Sequence, residues 1–217
     1  MKIKIAKGNK EDGIVIGNAF DKYGSSNLLV KRIMNGFDNE LNRLIYKVAP
    51  KDVHEIGCGE GYWVIKWHQE GINARGSDFS TQVIKMAKEN ATKSNVPVNL
   101  FSVKSIYNLE KEVDHAELVV CCEVLEHLEN PEEALRNIQK IANKYFIVSV
   151  PREPIWRILN MMRAKYLPNL GNTPGHIQHW SKKEIVKLIG RYFDVVEVVM
   201  PFPWTMMLCK NKKAPGA

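Results

Sequence analysis

Apolar residues recur along this chain at two periods, and these periods predict alternating helices and strands. Asn27 stands ahead of apolar residues spaced three and four apart up to Ile45, which predicts a capped helix that ends near Ala49. From Lys51 onward, short apolar runs alternate with helical patterns at a regular pace. This alternation is typical of parallel strands that are joined by crossover helices.

The short apolar runs predict a sheet of seven strands. The run at 116–122 is the most continuously apolar, so we place it at the centre of the sheet. The last two runs have no helical pattern between them, which predicts a hairpin and an antiparallel last strand. The predicted strands are 52–56, 73–77, 98–103, 116–122, 144–150, 195–200 and 205–209. We therefore assign the fold class as α/β, with a doubly wound, mostly parallel sheet.

Three segments lie outside this regular alternation. Residues 1–26 are polar and glycine-dotted, and they precede a domain that we assign to 27–210. Residues 151–180 hold an apolar stripe at helical spacing among basic residues, which predicts an amphipathic helix within an insertion. We interpret this insertion as a lid over the side of the domain that binds the substrate, which we call the acceptor side. Alternatively, its helix lies on a membrane surface or packs on the sheet. Residues 211–217 are polar and are predicted to form a disordered tail.

The composition is that of one soluble globular domain, with 217 residues of which 45% are hydrophobic and 25% charged. No apolar run approaches the roughly 20 residues that span a bilayer. The opening residues alternate charged and apolar side chains, unlike a signal peptide. The four cysteines form no Cys-x-x-Cys pair, so neither a disulfide framework nor a zinc knuckle is predicted. We therefore expect a cytoplasmic protein.

The net charge of +7 is concentrated in the later part of the chain. From Lys140 onward there are 13 lysines and arginines against 4 acidic residues, whereas the first 139 residues carry 18 against 20. A basic part beside a near-neutral part favours an anionic acceptor, or an acceptor held on an anionic surface. Lysines that only solvate helix faces would give the same counts, so both interpretations stay open.

The first predicted strand and the turn after it carry the clearest chemical signal. The strand bears Glu55 near its end and is followed by Gly57, Gly59 and Gly61, after which a helical pattern begins. Glycines in such a turn let a ligand lie against backbone N–H groups at a helix start. Glu55 is placed to bind the ammonium group of an amino-acid-like ligand. The nicotinamide fingerprint Gly-x-Gly-x-x-Gly fails because Tyr62 stands where its third glycine would be.

This acid-x-Gly-x-Gly-x-Gly pattern resembles motif I of the class I S-adenosylmethionine-dependent methyltransferases, and the resemblance covers roughly residues 27–210. It implies a Rossmann-like methyltransferase fold, S-adenosyl-L-methionine as cofactor and S-adenosyl-L-homocysteine as product. Asp78 follows Glu55 by 23 residues at the end of the second predicted strand, where a carboxylate accepts hydrogen bonds from ribose hydroxyls. In the family the next residue, here Phe79, packs on the adenine.

The resemblance implies further cofactor contacts, with one departure from the family pattern. An aspartate that binds the adenine amino group commonly follows the third strand, but this chain has Ser105 and Ile106 there. Ser105 can still make that hydrogen bond, and Ile106 can pack on the ring. Tyr23 is the candidate aromatic residue of an N-terminal segment that folds over the cofactor; packing on the domain is the alternative. The predicted cofactor-binding residues are Tyr23, Glu55, Gly57, Gly59, Gly61, Asp78, Phe79, Ser80, Ser105, Ile106 and Glu123.

The fourth predicted strand runs into Glu123, Glu126 and His127, at an edge where open α/β sheets bind ligands. Methyl transfer to oxygen needs the donor and acceptor in line, and a base for the hydroxyl proton. We select His127 as that base because unperturbed histidines titrate near neutral pH. His176 and His179 in the insertion are further candidates for acceptor-side chemistry. Alternatively, Glu126 and His127 cap the next helix and only Glu123 contacts the cofactor.

The Glu-x-x-Glu-His pattern at 123–127 also resembles the metal-binding motif of small-RNA 2′-O-methyltransferases and of ubiquinone-pathway O-methyltransferases. In the RNA enzymes a histidine shortly before a tryptophan completes the site, and His176 stands at the matching place. The resemblance implies that Glu123, Glu126, His127 and His176 would hold a divalent ion if one is bound. Because the histidines could instead line the acceptor pocket, no metal is assigned from the sequence.

The sequence favours an S-adenosylmethionine-dependent O-methyltransferase for a small or lipid-linked, anionic metabolite, with peripheral membrane contact as an option. It predicts no added nucleic-acid-binding module. Two other functions stay open: a metal-assisted RNA 2′-O-methyltransferase and a non-catalytic S-adenosylmethionine-binding subunit. The first would lose activity in a chelator, and the second would bind the cofactor without transferring its methyl group.

Overall fold

The computed structural model describes residues 3–11, 13–18 and 20–212. A small antiparallel hairpin, β1 (Lys10–Glu11) and β2 (Ile14–Val15), precedes a seven-stranded sheet. The strands of that sheet are β3 (Val53–Ile56), β4 (Ala74–Asp78), β5 (Phe101–Val103), β6 (Ala116–Cys122), β7 (Ala142–Pro151), β8 (Phe193–Val199) and β9 (Trp204–Asn211). Their order across the sheet is β5–β4–β3–β6–β7–β9–β8.

The sheet is parallel from β5 through β7, and β9 runs antiparallel to both of its neighbours, β7 and β8. The helices are α1 (Leu28–Val48), α2 (Tyr62–Gln69), α3 (Thr81–Lys93), α4 (Lys111–Asp114), α5 (Pro131–Ile141), α6 (Ile155–Met162) and α7 (Lys182–Ile189). The predicted fold class, with an antiparallel last strand, is confirmed. Within the part of the chain described, no helix is long and apolar enough to cross a membrane.

Strand β6 lies in the middle of the sheet and is buried on both faces. Leu118 and Val120 pack into the core that α1, α2 and α3 cover, and Val119 and Cys121 pack into the core under α5 and α7. Successive side chains of a strand point to opposite faces, so a strand covered twice needs apolar residues throughout. This explains the unbroken apolar run from which the central position was predicted.

Side-chain caps fix the starts of the three predicted helices that follow polar residues. The carboxamide oxygen of Asn27 accepts from the backbone N–H groups of Leu29 and Val30 at the start of α1. Ser80 caps α3, and Ser181 forms a capping box at the start of α7. Each cap satisfies N–H groups that have no partner within the helix.

The structure differs from the predicted elements at three places. The third predicted strand is shorter, because Val98–Leu100 forms a 3₁₀ turn before β5. The two-residue strands β1 and β2 were not predicted, since elements this short show no period. Strand β9 extends to Asn211, one residue into the predicted tail, because the Asn211 side chain donates to backbone carbonyls of Gln139 and Ala142. Residues 213–217 of that tail lie outside the described residues.

Buried hydrogen bonds fasten the N-terminal segment to the glycine turn. The Glu60 carboxylate, which is 1% exposed, accepts from the backbone N–H groups of Ala6 and Asn18 and from the Asn18 side chain. In addition, the Ser80 hydroxyl donates to Glu11 in β1. The segment is therefore tied to the residues between β3 and α2 and to the start of α3. Its predicted role of covering a cofactor stays a prediction.

Candidate active site

The glycine turn leaves open space over its middle residue. Gly57, Gly59 and Gly61 have φ values of 75°, 53° and 83°, in the left-handed region. A Cβ atom at Gly57 would lie 2.3 Å from a methyl carbon of Val124, whereas a Cβ at Gly59 would meet no described atom within 4 Å. The backbone at Gly59 can therefore be approached closely by a ligand.

Glu55 buries a carboxylate beside this turn. Its side chain is 4% exposed, and its Oε2 has no hydrogen-bond partner among the described residues. Burial, and then the charge of Asp78, raises the pKa of Glu55 well above its usual range. A cationic group supplied by a ligand would restore the charged form and satisfy the free oxygen. This arrangement fits the predicted binding of an ammonium group.

Asp78 lies at the end of β4, across from the glycine turn. Its carboxylate accepts from the Gly59 N–H at 3.1 Å and from the Ser80 N–H at 3.0 Å. Burial raises the pKa of Asp78 to about 6. The next side chain, Phe79, is 44% exposed, so its ring is available to stack on a ligand. The Ser80 hydroxyl is buried, donates to Glu11 and accepts from the Val83 N–H. Both of these hydrogen bonds are made within the protein, the second as part of the helix cap.

The other predicted cofactor contacts lie around the same edge. Ser105 is half-buried and accepts from the Tyr107 N–H, and Ile106 is buried in the 3₁₀ turn that follows. The Tyr23 ring stacks on Tyr62, with centroids 3.6 Å apart and planes at 8°. Tyr62 is the first residue of α2, so the N-terminal segment reaches the glycine turn. Direct contact of these residues with a cofactor stays a prediction.

Glu123 follows β6 in a left-handed conformation, with a φ of 59°. Its carboxylate accepts from the Ser149 hydroxyl at 3.1 Å and from the indole N–H of Trp204. Burial raises the pKa of Glu123 to about 7. Both oxygens are thus held by neighbouring strands β7 and β9, and the side chain is fixed at the carboxyl end of β6.

Glu126 lies in a 3₁₀ turn after β6 and is 1% exposed. Neither of its carboxylate oxygens has a hydrogen-bond partner within the described part of the chain. Burial, followed by the charge of Glu123, raises the pKa of Glu126 well above its usual range. Its backbone carbonyl accepts from the N–H groups of Ile177 and Gln178 at 2.9 and 3.0 Å, which holds the insertion against the turn.

Two histidines complete a cluster with Glu126. Each of Glu126, His127 and His176 offers one possible ligand atom, and these atoms lie within 4.8 Å of one another. His127 Nδ1 lies 2.9 Å from the carbonyl oxygen of Gly175. Because a carbonyl can only accept, Nδ1 carries the proton and Nε2 keeps a lone pair. The two imidazole rings meet edge to face with centroids 4.8 Å apart.

Burial favours the neutral form of both imidazoles. Burial lowers the pKa of His127, and burial followed by the nearby histidines lowers the pKa of His176 to about 3. Neutral imidazoles accept protons or bind metal ions. His179 does not join this cluster: it is exposed, and its Nε2 bonds the Asn172 side chain at 2.8 Å. Acceptor-side chemistry at His179 is therefore the least supported of the three histidine predictions.

The cluster fits a divalent cation. Two neutral imidazoles and a buried carboxylate with both oxygens free form a suitable donor set, and a cation would supply the missing counter-charge. Glu126, His127 and His176 would hold such an ion. Glu123, the fourth residue of the predicted metal set, has both oxygens engaged by Ser149 and Trp204. It would have to exchange one of these hydrogen bonds to become a ligand.

An aromatic wall that the sequence analysis did not identify joins Glu123 to the histidines. Trp204, which donates to Glu123, lies 4.9 Å from Phe37 and 5.8 Å from Trp156 between ring centroids. The Trp156 ring in turn stacks on His176 at 5.9 Å. One sequence signal could have located Trp204 in this wall. The last strand was predicted to be antiparallel, which places the start of β9 at the same sheet edge as the ends of β6 and β7.

Known proteins resemble the chain over the region that holds these residues. A family model described as a methyltransferase domain matches residues 32–197. A ubiquinone biosynthesis O-methyltransferase from Cupriavidus pinatubonensis is 28% identical over 123 residues, or 55% of this chain and 49% of that protein. The chain thus spans about half the length of the curated relatives that it matches.

Solved structures share the fold at low sequence identity. Magnesium protoporphyrin IX methyltransferase from Synechocystis PCC 6803, solved with bound SAH, has a TM-score of 0.65 and 20% identity, covering 89% of this chain and 94% of that one. The PH0226 protein from Pyrococcus horikoshii OT3 has a TM-score of 0.70 and 16% identity, covering 89% and 96%. The same sheet and helix arrangement therefore recurs in these proteins.

Proposed function

Because this chain belongs to the methyltransferase domain family, we propose that it is an S-adenosyl-L-methionine-dependent O-methyltransferase acting on a small molecule. The free Glu55 carboxylate would bind the methionine ammonium, Asp78 the ribose hydroxyls and the exposed Phe79 ring the adenine. The open backbone at Gly59 gives the cofactor room to lie between them. This cofactor is consistent with the solved neighbours that contain SAM or SAH.

The observation that carries O-methylation is the pair of imidazoles, half-buried His127 and buried His176, beside the Glu126 carboxylate. The acceptor hydroxyl would give its proton to a free imidazole nitrogen as its oxygen attacks the methyl carbon. The bond from methyl carbon to sulfur breaks, and its electron pair stays on sulfur, which becomes a neutral thioether. The aromatic wall of Trp156 and Trp204 would hold the acceptor in line. The ubiquinone-pathway relative, named as an O-methyltransferase, supports the same choice of acceptor atom.

A second candidate function is metal-assisted methylation of an RNA 2′-hydroxyl. The free oxygens of Glu126 favour it, because a bound divalent ion would neutralise them and would lower the pKa of a hydroxyl bound to it. The histidines would then be ligands rather than bases. The basic later part of the chain could face a nucleic-acid backbone.

We further propose that the acceptor is lipid-linked and that α6 rests on an anionic membrane surface. Asn160 is the only buried residue of α6, whereas Ile158 and Met162 are 45% and 79% exposed. Arg157 lies on the same helix, and Arg163 follows its last residue. Exposed apolar side chains flanked by basic ones fit the boundary between headgroups and acyl chains.

The deciding experiment supplies methyl-labelled S-adenosylmethionine, with and without chelator, to the protein and an extract of its source organism. Label would be counted in lipid, small polar, RNA and protein fractions. Chelator-insensitive label in lipid or small polar material would support the proposed O-methyltransferase function. Chelator-sensitive label in RNA would support the second candidate. Cofactor binding without any label would contradict both and would indicate a non-catalytic binding subunit.

A further inference from the structure

We propose that Arg152 binds an oxyanion group of the acceptor, either a carboxylate or a phosphate, at the carboxyl end of β7. This inference rests on the proposed function, because it names the chemical class of the acceptor for the same site. It is carried by the position of Arg152 and by the absence of an anionic partner for its guanidinium group.

Arg152 lies at the sheet edge that holds the other candidate groups. It follows Pro151, the last residue of β7, which pairs with Trp204 at the start of β9. Its backbone N–H donates to the carbonyl of Pro203 at 3.0 Å, and its own carbonyl accepts from the Trp156 N–H at 3.0 Å. Its backbone is thus bonded to both segments that supply the aromatic wall.

The guanidinium of Arg152 has no carboxylate within 4.0 Å among the described residues. Its Nε is buried without an acceptor, and one terminal nitrogen contacts only the sulfur of Met200, at 3.2 Å. A thioether sulfur is a weak acceptor. The neighbouring carboxylate, that of Glu153, accepts instead from the Arg157 N–H.

Other arginines of the chain show the contrast. Arg43 pairs with Glu40 and Glu197 on the surface, and Arg191 pairs with Glu132. The guanidinium groups of Arg43 and Arg191 thus have anionic partners, although both are well exposed to solvent, which already stabilises their charge. A charged N–H group that is buried and unpaired costs free energy. An anion that arrives with the acceptor would remove this cost at Arg152.

The chemistry of the surroundings points to an amphipathic anion. The planar guanidinium fork matches carboxylate and phosphate geometry through two parallel hydrogen bonds. Met200, which contacts the guanidinium, and Phe202, which precedes Pro203 in the chain, are each 47% exposed and offer apolar surface to the remainder of the acceptor. The surplus of basic residues after Lys140 would attract such a molecule.

The first test follows the Arg152 Nε–H group directly by NMR in the SAH-loaded protein. Its resonance would be assigned by its loss in Arg152→Gln, and benzoate and inorganic phosphate would be titrated separately. We expect a saturable shift of this resonance with at least one anion, and the larger effect identifies carboxylate or phosphate as the preferred group. The absence of a shift with both anions would overturn the inference.

The second test compares 3,4-dihydroxybenzoate with catechol, which lacks the carboxylate, as methyl acceptors. Arg152→Gln should lower the ratio of their kcat/KM values about 10- to 100-fold, and Arg152→Lys should lower it less. Arg191→Gln, which removes an exposed ion pair, is the matched control and should leave the ratio unchanged. An unchanged ratio in a folded Arg152→Gln protein would contradict the role assigned to this residue.

The two tests separate failure of this inference from failure of the proposed function. Anion binding at Arg152 without methylation of any hydroxyl acceptor would refute O-methylation and leave the anion site standing. Methylation of both acceptors, with no anion response at Arg152, would refute the anion site and leave the methyltransferase function standing.

Discussion

Glu55, Glu126 and Arg152 each bury a polar atom for which the described residues supply no hydrogen bond. They lie at or just beyond the ends of three adjacent strands, β3, β6 and β7. A buried charged group in this state costs free energy, and folded proteins retain such groups mainly where they function. At the residue scale, the site is therefore marked by unpaired groups of both signs that face one edge of the sheet.

We expect Glu55→Gln to weaken S-adenosylmethionine binding about 10- to 100-fold, because a neutral amide cannot pair with the ligand ammonium. Isothermal titration calorimetry measures this directly. The exposed Glu112→Gln is the matched control and should bind like the unchanged protein. Equal affinity in all three proteins would show that Glu55 does not contact the ammonium.

His176→Ala and His127→Ala should each lose more than half of the turnover while S-adenosylhomocysteine affinity stays the same. The reason is that the proposed function places both side chains on the acceptor side, as a base or as metal ligands, and a single base typically contributes 10²–10⁴-fold. His115, which is exposed and lies after α4, provides the control variant His115→Ala. Full turnover in both cluster variants would remove the histidines from the mechanism.

His54 gives a pH-dependent contribution to stability. It is 1% exposed, bonds Ser77 and the Asp114 carbonyl, and burial lowers its pKa to about 4 from 6.5. The folded state then binds fewer protons than the unfolded state between these values. The contribution is therefore present above pH 6.5 and is lost as the pH falls towards 4.

From this shift, we expect the unfolding free energy to fall between pH 7 and pH 5 by about 2 kcal/mol more than in His54→Gln. Urea denaturation at the two pH values supplies the comparison. Asp78 and Glu123 have raised pKa values and act in the opposite direction, but they are present in both proteins and cancel. Identical pH dependence in the two proteins would contradict a neutral, buried His54.

At the element scale, the N-terminal segment is held to the domain by few but buried hydrogen bonds. Glu60 receives three of them, and its acceptor oxygens would clash with any Cβ at Gly17, 2.4 Å away. Tyr23 then continues the segment to the start of α2 through its stack on Tyr62. The Glu60 carboxylate is thus one of the groups that hold this segment in place, together with the hydrogen bonds from Ser80 to Glu11 and between Lys4 and Asn90.

Glu60→Gln should lower the unfolding free energy by about 1–3 kcal/mol, because an amide replaces a charged acceptor of backbone N–H groups. It should also speed hydrogen exchange at the amides of Ala6 and Asn18, as measured by NMR. The exposed Glu133→Gln in α5 serves as the control. Unchanged exchange at both amides would show that other contacts hold the segment.

Elements with a clear period were predictable from the sequence, and elements that depend on long-range contacts were not. The Asn27 cap of α1 and the strand β6 were located because their signals are local. The hairpin β1–β2 is held by contacts to distant residues such as Ser80, and its two-residue strands show no hydrophobic period in the sequence.

The same distinction applies to the site. The glycine turn is continuous in sequence, and the match to the methyltransferase domain family confirms the family inferred from it. The meeting of Glu126 with His176 was anticipated only through a family resemblance. The contact of Trp204 with Glu123 depends on the register between β7 and β9, which the sequence does not specify. For the same reason, Arg152 was not singled out among the basic residues of the insertion.

At the scale of the whole molecule, the basic part of the chain and the exposed side of α6 belong to one region. Leu170, which is 64% exposed, extends the apolar surface of Ile158 and Met162, and its carbonyl accepts from Arg157. Positive charge and apolar side chains therefore occur together on the insertion at 151–180. This combination provides the basis for the proposed membrane contact.

We expect the protein to sediment with vesicles that contain anionic phospholipid but not with purely zwitterionic vesicles, and to dissociate at high salt. Met162→Asp should reduce vesicle binding several-fold, because it places a charge where an apolar group would enter the interface. Val113→Asp, at an exposed apolar position on α4, is the control. Equal binding of both variants would refute contact through α6.

The position of β9 affects how the sheet forms while the chain is being synthesised. This strand follows all six others in the chain, yet it lies inside the sheet, between β7 and β8. During translation, β8 therefore emerges from the ribosome before the only strand that can join it to the sheet. A nascent chain that stalls before Trp204 would present the open edge of β7 to other chains. Until β9 has emerged, β7 therefore keeps an unpaired edge and β8 stays outside the sheet.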